Sequence, residues 1–168
     1  MSDFRPGGFS VLPTVVKNLL IINVLFFLAT IACDMVLRID LSDYLGLHYM
    51  GATDFQPYQL VTYMFMHGNF AHLFFNMFAL WMFGNTLENI WGSNRFLLFY
   101  FVCGIGAGLV QELVQYIQYV TTLQGYENVR IAANQIIPMS EYLNLLTTVG
   151  ASGAVYGILL AFGMMFPN

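Results

Sequence analysis

Three polar side chains stand in otherwise apolar stretches of this sequence. His72 and Asn76 are four residues apart and therefore share one face of a helix. Ser152 follows two small residues at the start of a later apolar stretch. A serine hydroxyl can attack a carbonyl carbon, and imidazole and amide N–H groups can stabilise the oxyanion that forms. The three residues together predict acyl-transfer chemistry at Ser152, with His72 and Asn76 as oxyanion donors.

The residues beside Ser152 are small. Gly150 and Gly153 flank the serine with minimal bulk, so an extended peptide backbone could approach the hydroxyl group. Tyr156 follows one helical turn later on the same face, where it could pack against the group that activates the serine. These three residues, with His67, are the supporting part of the candidate site.

Each candidate residue also has a simpler structural interpretation. Serine is a favoured helix cap, so Ser152 could merely cap a helix. His72 and Asn76 could form hydrogen bonds between membrane helices, and His67 could be an interfacial residue without chemistry. A metal site on His67 and His72 lacks a third ligand at suitable spacing, so we expect neither a metal nor another cofactor.

The composition predicts a membrane protein. The chain is 58% hydrophobic and 8% charged, whereas a soluble domain carries about a quarter charged residues. Only helices and closed barrels satisfy their backbone groups in lipid, and the apolar runs here do not alternate as barrel strands do. We therefore expect an all-α, polytopic transmembrane bundle in one domain over residues 1–168.

Four spans are predicted. They cover residues 19–37, 70–87, 95–119 and 152–166, after an N-terminal segment over residues 1–18. An interfacial loop with short amphipathic helices joins the first two spans, a turn over residues 89–94 joins the next two, and a polar loop over residues 121–149 precedes the last.

Helix contacts are also predicted from residue types. A face of small residues on the third span, formed by Gly104, Gly106, Ala107 and Gly108, would let another helix approach closely. Gly153, Gly157 and Ala161 are spaced by four and predict tight packing of the last span. Glu88 is expected either to pair with Arg95 or to cap the turn between the second and third spans.

The last span is too short to cross a bilayer fully. Fifteen residues of helix reach about 22 Å, against a hydrocarbon core of about 30 Å. If the far end of this span reaches one interface, Ser152 begins the helix below the opposite surface. The free N–H groups of such a helix start need a hydrated cavity or a ligand, which favours catalysis over a capping role.

Charge limits the partners. The net charge is -4 with five Lys and Arg residues, so we expect no nucleic acid and no anionic membrane surface as partners. Arg5 and Lys17 precede the first span without a small-residue cleavage site, which predicts an anchor and no cleaved signal peptide. With Arg95 they outnumber Arg38 and Arg130, so the N-terminus is expected in the cytoplasm.

Two motifs resemble those of the rhomboid family of intramembrane serine proteases. The run from His67 to Asn76 resembles the signature of the family's second span, and Gly150-Ala-Ser152-Gly resembles its nucleophile motif. Tyr58-Gln59 stands where the family usually carries Trp-Arg. Glu88 and the turn from Gly92 to Arg95 also match in placement, so the resemblance covers nearly the whole chain.

The resemblance implies roles for the candidate residues. Ser152 would be the nucleophile, and its N–H, His72 and Asn76 would form the oxyanion hole. Substrates would be transmembrane proteins cleaved within the bilayer, most commonly that of a bacterial inner membrane. The family's base is a histidine on a sixth span. The three histidines here, His48, His67 and His72, all precede Ser152, so we expect the chain to be truncated.

Two other functions remain open at this point. A rhomboid-like protein without the base histidine could bind transmembrane clients in the same cavity without cutting them. A channel or transporter would need a continuous polar path, but the last span is apolar from Ile158 to Phe166, which disfavours it.

Overall fold

Helices form most of the fold in the computed structural model, which describes residues 10–132 and 135–167. The long helices are α1 (Thr14–Leu37), α4 (Phe70–Ala79), α5 (Asn85–Trp91), α6 (Ser93–Gln118) and α8 (Ser152–Met165). A π-helical turn, Leu80–Gly84, joins α4 to α5, and a second one, Tyr119–Leu123, extends α6. Residues 1–9 of the predicted N-terminal segment 1–18, which include Arg5, lie outside the described residues.

The four predicted spans correspond to these helices. The segments Thr14–Leu37 and Ser93–Leu123 are each long and apolar enough to cross a membrane, and α8 is a shorter apolar helix. The second span is α4 and α5 with the π-helical turn between them. The prediction of an all-α membrane bundle is confirmed, because about two thirds of the chain is helical.

The loop side of the bundle, where α1 ends, carries shorter elements. They are α2 (Ser42–Leu45), α3 (Gln59–Thr62) and α7 (Met139–Asn144), with strands β1 (Leu47–His48), β2 (Asn128–Ala132), β3 (Gln135–Pro138) and β4 (Thr147–Thr148). Strand β1 pairs with β4, so that His48 lies opposite Thr147, and β2 pairs with β3. The loop ahead of the second span is thereby joined to the segment that leads into α8.

Glu88 explains why α1 begins at Thr14 and not at residue 19. Its carboxylate oxygens accept hydrogen bonds from the backbone N–H groups of Val15 (2.9 Å) and Val16 (2.8 Å), which would otherwise have no partner at the helix start. The same carboxylate accepts from the hydroxyl of Ser93 (2.6 Å) in the next turn. The bond to Ser93 places Glu88 at the turn, as one expectation had it, whereas its capping of α1 was not predicted, and Glu88 does not pair with Arg95.

Substitution of Glu88 by glutamine should lower the free energy of unfolding by about 2 kcal/mol, because an amide group would turn a donor toward buried N–H or O–H donors. Thermal unfolding in detergent measures this loss. Glu127→Gln, which changes an exposed carboxylate in the loop before β2, is the matched control and should shift stability by less than about 0.5 kcal/mol. Equal effects of the two substitutions would contradict the capping role.

The turn predicted over residues 89–94 is mostly helical. Helix α5 continues to Trp91 and α6 begins at Ser93, which leaves Gly92 alone between them at φ 82°. Only glycine adopts this conformation at little cost. One residue therefore makes the reversal for which the sequence suggested six.

The small-residue face of the third span packs against two elements, the loop before the second span and α8. Methyl groups on Gly104 and Gly108 would meet Met64 and Tyr63, which belong to the loop before the second span. Ala107, between them in sequence, packs against Gly153 of α8. A methyl group on Gly157 would likewise lie 2.7 Å from Cβ of Cys103. The prediction of tight packing is confirmed for α8, and the same face also contacts the loop, but Gly106 is not part of it, because a methyl group there would meet no atom within 4 Å.

Candidate active site

Ser152 is the first residue of α8, and a backbone hydrogen bond fixes the segment that leads to it. Gly150 has φ 126°, a left-handed conformation that favours glycine, and its N–H donates to the carbonyl of Tyr63 (2.9 Å). The capping position before α8 belongs to Ala151, and no side chain caps the helix. Ser152 is therefore not used as a helix cap, which leaves its hydroxyl free to face outward.

His72 and Asn76 occupy one face of α4, as their spacing predicts. The side chain of Asn69 caps this helix by accepting from the N–H of His72 (2.8 Å), which fixes where the helix begins. The amide nitrogen of Asn76 donates to the carbonyl of His72 (3.0 Å). That bond uses one of the two amide protons, so the other stays available for a ligand.

Gly150 brings the two helices together. A methyl group placed on it would lie 2.6 Å from Cε1 and 2.7 Å from Nε2 of His72, and 3.6 Å from the Oγ of Ser152. The imidazole therefore lies directly across Gly150, beside the serine hydroxyl. A side chain at residue 150 would occupy the space that these two groups share.

A groove of about 580 Å³ opens between α4 and α8, and the three candidate residues line it. The other lining residues are Asn69, Ala71, Phe75, Ala79, Val155, Tyr156 and Leu159. Tyr156 is 72% exposed. Mostly apolar walls with a few polar groups at one end are typical of a site that binds an apolar segment and orients one polar bond.

Gly153 has a different role from the one expected. It does not line the groove, because it faces α6, where a methyl group would overlap the side chain of Ala107. Its small size serves helix packing and not the approach of a peptide to Ser152. The expectation of open access beside the serine is wrong for Gly153, and the space at Gly150 is filled by His72.

His67 is buried behind His72 and is not an interfacial residue. It is 3% exposed, and its ring lies edge-on to the His72 ring with 5.2 Å between centroids. Burial and the neighbouring His72 lower the pKa of His67 to about 4, so it stays neutral near pH 7. Neither ring nitrogen has a hydrogen-bond partner within the described part of the chain. It therefore contacts the candidate site without facing the groove.

Tyr63 and Asn69 are site residues that sequence reasoning missed. The Tyr63 hydroxyl donates to the carbonyl of Gly104 (2.6 Å), and burial raises the pKa of this phenol to about 12. Its backbone carbonyl holds Gly150, so Tyr63 links α6 to the nucleophile segment. Asn69 had a usable signal, since asparagine just before an apolar run is a common helix cap, whereas nothing in the sequence singles out Tyr63.

Comparison with known proteins identifies the family of the chain. A family model described as the Rhomboid domain matches residues 54–168, which include every candidate residue. The chain belongs to the rhomboid family. It is accordingly an integral membrane protein of a family of serine proteases. The last three spans, the groove and both motifs fall within the matched region, and α1 precedes it.

Relatives from several organisms support the assignment to the rhomboid family. The chain is 34% identical to Rhomboid protease AarA of Providencia stuartii over 98 residues, which are 58% of this chain and 30% of that protein. It is 27% identical to Putative rhomboid protease YdcA of Bacillus subtilis (strain 168) over 121 residues, 71% of this chain and 47% of that protein. Rhomboid protease GluP of the same organism is 46% identical over 48 residues, 29% and 10% of the two chains. The match therefore spans less than half of each relative.

Proposed function

We propose that this rhomboid is an intramembrane serine endopeptidase that cleaves transmembrane segments of other membrane proteins. The observation that carries the proposal is the shared position of Ser152, His72 and Asn76 at one groove between two membrane helices. A groove with apolar walls suits a transmembrane segment, and its polar end would receive one peptide bond. The relatives' names support the protease over the alternative of a client-binding protein.

The proposed reaction passes through an acyl-enzyme. The Oγ of Ser152 attacks the peptide carbonyl carbon, and its proton passes to a base and then to the leaving amine. The ester that forms is hydrolysed by water, which regenerates the serine. Since every histidine of this chain precedes Ser152 and none but His72 lines the groove, we place the base in sequence outside these 168 residues.

The oxyanion would be held at the start of α8. The first N–H groups of a helix have no intrahelical acceptor, and the helix dipole makes this end positive. The second amide proton of Asn76 and the imidazole of His72 would add donors from the facing helix. Such preorganised donors commonly supply the largest single contribution to acyl transfer.

A reconstituted cleavage assay tests the function. The full-length protein and a tagged single-span membrane protein are placed in the same liposomes, and fragments are mapped by mass spectrometry. We expect a new pair of termini within the span or at its border. Stable capture of the intact client, without fragments, would instead favour the binding alternative and overturn the protease proposal.

Removing an oxyanion donor should slow the chemical step. Asn76→Ala should lower kcat by about a hundredfold with little change in KM, because the donor acts mainly on the charge that forms in the transition state. Phe74→Ala, on the same helix but outside the groove, is the control and should keep near-normal kcat. A rise in KM at constant kcat after Asn76→Ala would contradict the oxyanion role.

We further propose that the protein lies in a bacterial inner membrane. The excess of basic residues flanking the first span and following the second supports an N-terminus in the cytoplasm. A cysteine placed at Glu127, in the loop before β2, should then react with an impermeant thiol reagent in intact cells. A cysteine at Asn94, two residues after Gly92, should react only after the cells are opened. The reverse pattern would overturn the orientation.

A further inference from the structure

His48, outside the groove, makes contacts that a neutral imidazole cannot satisfy. The residue lies in β1 and is 3% exposed. Its Nδ1 is 2.9 Å from the carbonyl oxygen of Asn144, and its Nε2 is 2.8 Å from the carbonyl oxygen of Asp43. The two carbonyls belong to segments about a hundred residues apart, the loop after the first span and the end of α7. His48 therefore bridges the two loops of this side of the bundle.

Both contacts are hydrogen bonds only when the ring carries two protons. A carbonyl oxygen can only accept, and neutral imidazole has one N–H and one lone pair, whereas the imidazolium has two N–H groups. The hydroxyl of Thr147 is 3.2 Å from Nδ1 and can donate to it once that nitrogen loses its proton. Thr147 thus offers the neutral ring a partner, and Asn144 then loses its donor.

The charged groups beside His48 are acidic. A cavity of about 820 Å³ opens beside it, and the carboxylates of Asp43 and Asp54 line the cavity together with the phenols of Tyr44 and Tyr58. The remaining lining residues are the uncharged Thr53, Gln56, Gln59, Asn144 and Leu145. Among these lining residues there is no lysine or arginine, so the nearby formal charges are negative. The open cavity also gives protons a path to the ring.

The contacts of His48 with Asn144 and Thr147 lie a few residues before Ser152 in the chain. From Asn144 the chain enters β4, where Thr147 pairs with His48, and then reaches Gly150 and Ser152. This stretch is also held by the N–H of Tyr49, which donates to the carbonyl of Leu146 (3.3 Å), by the side chain of Asn144, which accepts from Thr53 and Asp54, and by the bond from Gly150 to Tyr63. A shift of β4 would therefore carry Gly150, and with it the contact to His72, out of place.

We propose that His48 is a positioning residue for Ser152: its imidazolium ties the loop at Asp43 to the segment at Asn144, and the tie loosens as pH rises. The catalytic consequence rests on the proposed protease function, but the tie itself does not. The direction of the pH effect follows from the number of N–H donors on the ring of His48. The imidazolium bonds both carbonyls, and loss of one ring proton removes one of the two donors.

Hydrogen exchange of the full-length protein in lipid nanodiscs tests the tie without any cleavage. After correction for intrinsic exchange, we expect the amides of residues 145–150 to be about tenfold better protected at pH 5.5 than at pH 8. His48→Gln should remove this pH dependence, because its amide does not titrate. Unchanged wild-type protection across the pH range, or a pH dependence that persists in His48→Gln, would overturn the proposal.

Thr147→Val gives a second variant with the opposite pH pattern, and it keeps the test decisive if His48→Gln does not fold. Valine removes the hydroxyl that serves the neutral ring, and with it only a long bond (3.4 Å) to the carbonyl of Asn144, which His48 already serves at low pH. Protection should therefore stay within twofold of wild type at pH 5.5 and fall about fivefold at pH 8. An equal loss of protection at both pH values would overturn the assigned protonation states.

Cleavage measures the consequence for catalysis. The ratio of wild-type kcat to that of His48→Gln should be about tenfold at pH 5.5 and within twofold at pH 8. Dividing by the variant removes the pH dependence of the catalytic base, which both proteins share. A constant ratio would overturn the positioning role. Absence of any cleavage by the wild type would refute the protease function alone, since the exchange experiment still decides the tie.

Discussion

Substitution of Ser152 by alanine should abolish cleavage, with a loss in kcat of roughly ten-thousandfold or more. Of the three candidate residues in the groove, Ser152 alone can form an ester with the substrate, and the proposal gives His72 and Asn76 the role of stabilising charge. Without the nucleophile the oxyanion donors have no attack to assist. The assay is cleavage of a single-span reporter in liposomes by the full-length protein.

The variant should remain folded, which makes the loss interpretable. The start of α8 is held by the backbone bond from Gly150 to Tyr63, and the cap position is Ala151, so the change removes no structural contact that the site needs. We expect thermal stability within about 1 kcal/mol of wild type. Client binding should also persist.

Labelling by a fluorophosphonate probe tests whether Ser152 is the nucleophile. It should label the wild-type protein at Ser152 and fail to label Ser152→Ala. Ser140→Ala, which changes an exposed serine on α7, is the matched control and should be labelled and active as wild type is. Labelling that survives the loss of Ser152, or cleavage by Ser152→Ala, would show that the nucleophile lies elsewhere.

The candidate site was predictable because it depends on local spacing. His72 and Asn76 share a helix face by the periodicity of the helix alone, and the short last span placed Ser152 at a similar depth. The spans followed from apolar length, since no other structure satisfies the backbone in lipid. The groove combines these two predictions and needs no further information.

Contacts between distant residues were not predictable in this way. Glu88 caps a helix start more than 70 residues earlier, and His48 in β1 pairs with Thr147 in β4 about a hundred residues later. Neither partner carries a sequence signal, because a two-residue strand has no periodicity to detect. The burial of His67 belongs to the same class, since it depends on how the loop before the second span packs in the fold.

Gly150 and Gly153 show how a correctly recognised nucleophile motif still gave a wrong role to one of its residues. Gly150 and Gly153 stand symmetrically about Ser152, and sequence alone suggests the same purpose for both. In the fold the helix periodicity turns Gly153 toward Ala107 of α6, while Gly150 lies before the helix under the ring of His72. Their requirements are therefore different, and only Gly150 belongs to the site.

Substitution of Gly150 by alanine should lower kcat/KM by at least about a hundredfold. The new methyl group would lie 2.6 Å from the His72 ring, a separation that no relaxed contact tolerates, so the imidazole must move away from Ser152. The backbone at φ 126° is also strained for alanine, at a cost of about 1 to 3 kcal/mol. Cleavage kinetics and thermal unfolding of the same variant measure the two effects.

Gly106→Ala is the matched control, because a methyl group at Gly106 would meet no atom within 4 Å and the residue lies inside α6. It should leave kcat/KM within twofold and raise stability slightly, since alanine is the better helix former. Comparable losses in the two variants would mean that the effect of Gly150→Ala is general destabilisation and not displacement of His72.

A double-mutant cycle then identifies the displaced group. If the damage acts through His72, Gly150→Ala in a His72→Ala background should cost far less than in the wild type, because the shortened side chain leaves room for the methyl group. Strain at Gly150 alone would instead cost the same in both backgrounds. The difference between these two costs therefore separates crowding of the imidazole from backbone strain, and only crowding ties Gly150 to the oxyanion site.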